Sequence, residues 1–319
     1  MLGKILGGLG RILIICGLVV LGFVAYQLWG TGLETARGQD ELTAGLAEGL
    51  VAEGGSDADD GREDSATLDV SDVADRLAEV DPTTAPAMPA PPEGEPVGII
   101  GIPKIGLQSV IVEGVSKADL KKGPGHYPGT ALPGQAGNAG IAGHRTTYGA
   151  PFNRIDELAP GDEIKVATAQ GEFTYEVIPA PGQTSQAWYV VTPSQVEVLD
   201  DVGDNRLTLT ACHPKYSARE RIIVHAVLRA PPAATPAVVS VDQPAAPTVA
   251  DDFDEGLEGD PDALPKALLF GVGAAALMIL AWFLARHLRR WFVYLIASPG
   301  VLVLIWFGYV HMDHYLPSL

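Results

Sequence analysis

The stretch RLTLTACHPKYSARERIIVHAVL, residues 206–228, predicts two β-strands joined by a loop. In the first strand apolar side chains alternate with two threonines and Cys212, so the leucines face one way and the thiol the other. The alternating sets are Leu207, Leu209 and Ala211, and Thr208, Thr210 and Cys212. Pro214 interrupts ladder bonding, and a second strand begins at Arg221. We expect the Cys212 thiol to lie at the end of the first strand, where it need not be buried, and to face the guanidinium of Arg221 at the start of the second strand.

Three apolar runs lie near the ends of this 319-residue chain of net charge −18, at residues 12–29, 267–285 and 291–310. Each is long enough to span a bilayer core of roughly 30 Å. Lys4 and Arg11 precede the first run, and the basic loop 286–290 separates the last two. Because short basic loops stay in the cytoplasm, the sequence predicts a multi-pass membrane protein whose middle lies outside. A cleaved signal peptide is the alternative for the first run.

Two segments have the composition of tethers. Residues 31–96 are acidic and then rich in proline and alanine, and residues 231–265 are again Pro/Ala-rich and then acidic. Leucines at residues 42, 46 and 50 and the run 68–80 permit short helices, but neither is long enough to be stable alone. We therefore expect most of residues 31–96 to be extended and mobile. The acidic run 57–64 lacks the spacing of a calcium-binding EF-hand loop.

Residues 97–230 differ in composition from the flanking segments, with short β-rich runs separated by glycine, proline and Asn/Asp. About eight runs have the spacing expected of an all-β barrel or sandwich.

This segment contains Cys212, whereas the other cysteine, Cys16, lies in the first apolar run, so the two cannot pair. A buried, inert core cysteine is the alternative for Cys212. A nucleophilic thiol needs a base or cation, and His144, which follows an apolar strand, is the best-placed histidine.

Three motifs in this segment together resemble the sortases, cysteine transpeptidases of the Gram-positive cell surface. They are TLTAC at 208–212, GHRTTYGAPF at 143–152 and RERIIV at 219–224, and they are most similar to class E sortases of actinobacteria. The resemblance covers residues 97–230 and implies a closed β-barrel with Cys212 as nucleophile, His144 as acid and base, and Arg221 as the arginine. Arg219 is the competitor for that last role. The family pattern has threonine where this chain has Ala211.

The resulting fold class is all-β, with a sortase-like barrel of about eight strands, short helices, and one N-terminal and two C-terminal transmembrane helices. The predicted organisation is 1–30 cytoplasmic start and signal anchor, 31–96 tether, 97–230 catalytic barrel, 231–265 tether, 266–285 and 291–310 transmembrane helices around the loop 286–290, and 311–319 extracytoplasmic tail.

The resemblance implies cleavage of a Thr-Gly bond in the sorting signal, LAxTG-like or LPxTG-like, of a secreted protein at the plasma membrane. The acyl group then passes to an amine of a peptidoglycan precursor. No metal, organic cofactor or nucleic-acid partner is expected. Candidate substrate-binding residues are Thr208, Thr210, Tyr127 and Tyr148.

Three other functions are open from the sequence. One is a class C pilin-polymerising sortase, for which Asp81-Pro82 resembles the lid motif although no aromatic residue follows. Another is a papain-like wall hydrolase, in which the cysteine precedes the histidine, opposite to the order here. The third is a tethered β module that binds wall polymer without catalysis.

Overall fold

The computed structural model describes residues 2–53, 69–236 and 260–316. The chain forms two compact units, one of residues 1–30 and 258–318 and the other of residues 31–257. The second unit contains all nine strands of the described chain. They are Pro96–Ile102 (β1), Leu107–Glu113 (β2), Gly125–His126 (β3), Asn138–Ala142 (β4), Glu163–Thr168 (β5), Gly171–Val177 (β6), Trp188–Val191 (β7), Arg206–His213 (β8) and Glu220–Leu228 (β9).

Eight of these strands close into a barrel. They follow the order β6-β5-β1-β2-β3-β4-β8-β9, and β6 pairs with β9 to complete the ring. β7 pairs with the remaining part of the same edge of β9, outside the ring. The β4–β8 and β2–β3 pairs are parallel and the other pairs are antiparallel. The predicted closed barrel of about eight strands is thus confirmed.

The barrel core follows from the alternation of side chains along the strands. In β8 the apolar core contains Leu207, Leu209 and Ala211, so the two threonines and Cys212 face the other way. In β9 the core takes every second residue from Ile222 to Leu228, which leaves Arg221 on the outer face. Both strand faces are those predicted from the sequence.

Helices outside the barrel correct the description of the fold as all-β. They are Thr31–Glu53 (α2), Val70–Ala78 (α3) and Lys117–Lys122 (α4), numbered after an N-terminal helix Leu2–Ala25 (α1). Asp69 and Asp72 form a capping box at the start of α3. An apolar cluster joins α2 and α3 to the outer face of β1, β2 and β5, and its buried members are Leu42, Val73, Leu77, Ile99, Val110, Val112 and Ala167.

The expectation that most of residues 31–96 is mobile is therefore wrong for the part of the segment that the structure describes. Helices too short to persist alone are stabilised here because each buries an apolar face against the barrel. The proline-rich part is also held, since Gln170 donates a hydrogen bond to the Pro86 carbonyl and Gln135 donates one to the Met88 carbonyl, both at 2.8 Å. Residues 54–68, including the acidic run, lie outside the described residues.

The second predicted tether begins on the barrel. Ala233 is buried in the barrel core, and Gln170 donates a hydrogen bond to the Ala234 carbonyl at 2.8 Å. Residues 237–259, which make up most of this predicted segment, lie outside the described residues.

The other unit contains α1, a π-helical turn Tyr26–Gly30, and two C-terminal helices, Ala263–Leu284 (α5) and Arg290–Tyr315 (α6). Both α5 and α6 are long and apolar enough to cross a membrane, with mean hydropathies of 2.4 and 2.0. They contain the predicted spans 266–285 and 291–310 apart from the last residue of the first. Within the described residues the apolar stretch of α1 is shorter, Leu13–Ala25, so the predicted N-terminal span is not confirmed.

The packing of α2 can be tested with a matched pair of leucines on that helix. Leu42 is 4% exposed whereas Leu33 is 62% exposed. We expect Leu42→Ala to lower the free energy of unfolding of the barrel unit by about 2–5 kcal/mol, because it leaves a cavity in the apolar cluster. Leu33→Ala should have little effect. Equal thermal-unfolding midpoints for the two variants would contradict the packing of α2 on the barrel.

Candidate active site

β8 carries Cys212 between two neighbouring strands that bring other polar side chains to it. On one edge β9 pairs antiparallel, with Cys212 directly opposite Arg221. On the other edge β4 runs parallel up to the pair of Ala142 with Thr210, and the Gly143 amide continues the ladder to the Thr210 carbonyl at 3.0 Å. His144 lies two residues beyond Ala142, as Cys212 lies two residues beyond Thr210. Because neighbouring strands lie about 4.8 Å apart, the three side chains share one end of the sheet.

The three predicted catalytic residues are buried. His144 is 1% exposed, Cys212 4% and Arg221 2%. The expectation that the thiol ends its strand and need not be buried is therefore wrong, since β8 extends to His213 and the site is covered. The thiol nevertheless lies outside the apolar core of the barrel. Its neighbours include two guanidinium groups, which distinguishes it from an ordinary core cysteine.

Burial and charge act in opposite directions on the thiol. Burial raises the pKa of Cys212, while the positive charges of Arg221 and Arg145 lower it. The burial effect is the larger, so the net pKa is above the ordinary value for a cysteine. The two arginines therefore reduce the cost of forming a thiolate in a desolvated place.

Arg221 is held by the loop that joins β8 to β9. Its Nη1 donates to the carbonyls of Ala218 at 2.8 Å and Glu220 at 3.1 Å. Arg219, the alternative from the sequence, is exposed. The strand pairing thus brings Arg221 next to Cys212, and Arg219 lies at the surface of the loop.

Arg145 was missed from the sequence. Its Nη1 donates to the Cys212 carbonyl at 3.4 Å and to Nδ1 of His213 at 3.0 Å, and its Nη2 lies 2.9 Å from Asp156. This buried guanidinium therefore ties the loop after β4 to the end of β8. The sequence does contain a signal for Arg145, because this charged residue directly follows His144 at the end of an apolar strand.

Two of the four barrel histidines have structural partners away from the thiol. Nδ1 of His126 lies 2.7 Å from a Glu113 carboxylate oxygen. His225 contacts the Thr208 hydroxyl at 2.9 Å and the Tyr189 hydroxyl at 2.8 Å. Burial, followed by the charge of Arg206, lowers the pKa of His225 to about 4, so this imidazole is neutral at physiological pH. His144 and His213 are the two barrel histidines beside Cys212.

The predicted substrate-binding residues divide into two groups. Thr208 is buried and donates to Asn138 at 2.7 Å while also contacting His225, so it belongs to an internal network. Thr210 and Tyr127 are nearer the thiol on the same face, and their hydroxyls are 3.0 Å apart. The Tyr148 ring lies 5.0 Å from the His144 ring. The structure thus brings Thr210, Tyr127 and Tyr148 to the site and leaves Thr208 behind it.

The side chain of Ala211 points into the apolar core. A hydroxyl at this position would face the barrel interior and not the thiol. The departure from the threonine of the family pattern therefore removes no group from the face that carries Cys212.

No cluster of three or more His, Cys, Asp or Glu side chains suited to a metal ion occurs in residues 2–53, 69–236 and 260–316.

The effect of the two arginines on the thiol can be measured by alkylation. In a Cys16→Ser background, we expect Arg221→Met and Arg145→Met each to move the midpoint of the iodoacetamide rate against pH to higher pH. The reason is that each change removes a positive charge that lowers the pKa of Cys212. The exposed Arg219 provides the control, since Arg219→Met should leave the midpoint unchanged. A shift to lower pH in the first two variants would contradict this account.

Comparison with known proteins finds similarity to one family. A family model described as Sortase domain matches residues 100–229. Sortase SrtE1 of Streptomyces coelicolor is 31% identical over 231 residues, which are 68% of this chain and 55% of the relative. The chain therefore spans about half the length of that relative. A solved structure of sortase E from Streptomyces avermitilis is 37% identical and covers 44% of this chain and 91% of that chain, with a TM-score of 0.38.

A second relative is matched over most of its length. Sortase D of Bacillus subtilis is 32% identical over 202 residues, which are 63% of this chain and 86% of the relative. The relatives thus include sortases named for both class D and class E. On this similarity, the chain belongs to the sortase family, whose members are cysteine transpeptidases.

Proposed function

We propose that the protein is a membrane-anchored transpeptidase that cleaves a Thr-Gly bond in the C-terminal sorting signal of secreted proteins. It then transfers the acyl group to an amine of a cell-wall precursor. The observation that carries the proposal is the position of Cys212 on β8, with Arg221 opposite it on one edge and His144 just beyond the end of β4 on the other. Nucleophile, acid and oxyanion-stabilising cation are the three groups that acyl transfer from an amide requires.

In the first step the Cys212 thiolate attacks the threonine carbonyl carbon. The carbonyl oxygen becomes negatively charged, and Arg221 is placed to donate a hydrogen bond to it. The C–N bond then breaks, and imidazolium at His144 gives its proton to the departing glycine nitrogen. The products are a thioester at Cys212, a neutral His144 and a free amine.

In the second step an acceptor amine attacks the thioester carbonyl. Neutral His144 takes the proton that the amine loses as the new C–N bond forms. The C–S bond breaks and the thiolate leaves, which restores the starting pair of thiolate and imidazolium. Neither step needs a group beyond these side chains and the two substrates.

Tyr127 and Thr210 form a hydroxyl pair on the thiol face, and they can contact the backbone of an extended signal. We propose that these two residues take part in recognition of LAxTG-like or LPxTG-like signals. Thr208 is omitted because it is bonded inside the barrel.

The membrane topology is part of the proposal. The charges at Lys4, Arg11 and residues 286–290 favour a cytoplasmic side for the start of the first apolar run and for the loop between the last two runs, which puts the barrel outside the plasma membrane. We propose α1, α5 and α6 as its membrane helices. In this arrangement the catalytic unit begins at α2, in place of the predicted boundary at residue 97, because α2 and α3 pack on the barrel.

The alternative of a pilin-polymerising enzyme with an Asp-Pro lid has less support. The Asp81 carboxylate accepts hydrogen bonds from the amide of Thr83 at 2.9 Å and from its hydroxyl at 2.7 Å. Pro82 lies against the turn at Gly171, where β6 begins. β6 pairs with the Leu228 end of β9, whereas Cys212 pairs at the Arg221 end. Asp81-Pro82 is thus at the other end of the sheet from the thiol.

The proposal is tested by trapping the acyl-enzyme on the full-length chain in detergent. We expect a mass increase on the peptide containing Cys212 after incubation with LAxTG or LPxTG peptides, and faster release of the glycine fragment when hydroxylamine is added. Cys212→Ala should abolish both, and His144→Gln should slow cleavage by about 10²–10⁴-fold because the leaving amine is then not protonated.

The other cysteine provides the matched control, since Cys16→Ala should leave both signals unchanged. A wall-binding module without catalysis would show no adduct with either peptide. Cleavage that survives Cys212→Ala would contradict the proposed nucleophile, and cleavage that hydroxylamine does not accelerate would indicate a hydrolase.

A further inference from the structure

The loop that follows His144 has an uncommon backbone conformation. Tyr148, Gly149 and Ala150 have positive φ angles of 50°, 72° and 45°. Two of these residues are not glycine, and such conformations persist only where the surroundings hold them. The amide of Ala150 donates to the Thr147 carbonyl at 2.8 Å, and the amide of Phe152 donates to the His144 carbonyl at 3.1 Å. The end of the loop at Phe152 is thus bonded to His144, where the loop begins.

This conformation brings the Tyr148 ring against the His144 ring. The ring centroids are 5.0 Å apart with an angle of 36° between the planes. Tyr148 is fully buried, so its ring cannot move far from this position. The contact restricts the orientation of the imidazole.

A lysine from α4 lies on the same tyrosine. The Lys121 ammonium is 5.0 Å from the centroid of the Tyr148 ring. Lys121 is only 7% exposed, which is unusual for a lysine. The face of an aromatic ring attracts a cation, most strongly where both are desolvated. The Glu34 carboxylate on α2 lies 3.8 Å from the same ammonium.

The first two turns of α2 hold both partners in place. The Thr31 hydroxyl oxygen accepts the Tyr148 amide at 3.2 Å, and the Thr35 hydroxyl donates to the Lys121 carbonyl at 2.9 Å. One turn later Gln39 donates to the Lys122 carbonyl at 2.8 Å. These three residues are four apart in sequence, so they form one face of the helix.

We infer that Lys121 and Tyr148 are positioning residues for His144, and that α2 holds this pair in register with the thiol. The inference rests on the proposed function, in which His144 gives its proton to the departing amine nitrogen. Proton delivery depends on the angle and distance between the imidazole N–H and that nitrogen. A tyrosine ring fixed on one side by a buried ammonium and by α2 holds the imidazole at one angle.

The role can be separated from a general effect on folding by the choice of leaving group. Two substrates with the same threonine acyl group are compared on the full-length chain, one with the Thr-Gly amide and one with a nitrophenyl ester. The amide needs a proton on the departing nitrogen, whereas nitrophenolate leaves without one. We expect Lys121→Met and Tyr148→Leu to lower kcat/KM for the amide by roughly tenfold or more. Lys121→Met should leave kcat/KM for the ester unchanged, because this constant reports acylation alone and the nitrophenolate needs no proton from His144. The loss should lie in kcat.

The neighbouring lysine gives the matched control. Lys122 is on the same helix but donates to the Gly94 carbonyl at 3.1 Å, so Lys122→Met should leave both substrates unaffected. Lys121→Arg and Tyr148→Phe keep the cation and the ring and should restore amide turnover. If Lys121→Met does not fold, Thr35→Val carries the test, because it removes the bond from α2 to α4 at nearly constant volume and should also impair the amide selectively.

The outcomes distinguish this inference from the proposed function. Equal loss for amide and ester, or no loss for the amide, would overturn the positioning role while the wild-type chain still cleaves the peptide. Absence of amide cleavage by the wild-type chain, or its survival in Cys212→Ala, would overturn the proposed function itself.

Discussion

The position of the thiol depends on the register of β8 within the sheet. The strand is paired on both edges, and on each edge the register is set by alternating apolar side chains that fill the barrel. A slip by one residue would turn Cys212 into the core and bring Ala211 to the outer face. The free energy of packing the core thus also fixes the pairing of Cys212 with Arg221. Closure of the ring through β6 and β9 removes the freedom of an open edge.

Burial of the site makes it costly to form the Cys212 thiolate. A buried thiol resists ionisation, and the pKa of Cys212 is raised for that reason. Arg221 and Arg145 offset part of this effect, and each is held by backbone carbonyls or by Asp156. The outer helices complete the enclosure, since α2 contacts both α4 and the loop after His144. The helix α2 is therefore part of the barrel unit.

The alternation of side chains along β8 and β9 was readable from the sequence, because the two faces of each strand have different compositions, whereas the order of the strands in the sheet was not predicted. The packing of α2 was not, because a short amphipathic helix is stable only against a partner, and that partner is formed by three distant strands. The buried state of Cys212 and the role of Arg145 were missed for a similar reason. Both depend on which segments cover the end of β8, and those segments are far away in the chain. The alternation in the sequence had already placed Ala211 on the face opposite Cys212, and in the structure this face belongs to the barrel core.

The direct opposition of Cys212 and Arg221 can be measured by disulfide trapping. In a Cys16→Ser background, an introduced thiol in Arg221→Cys faces Cys212 on the adjacent antiparallel strand, at a separation that suits a disulfide. The account predicts a disulfide between the two on mild oxidation, detected by mass spectrometry of the unreduced peptides. Glu220→Cys is the matched comparison, because Glu220 pairs with His213 and its side chain points to the other face. A disulfide in Glu220→Cys and none in Arg221→Cys would contradict the register on which the site depends.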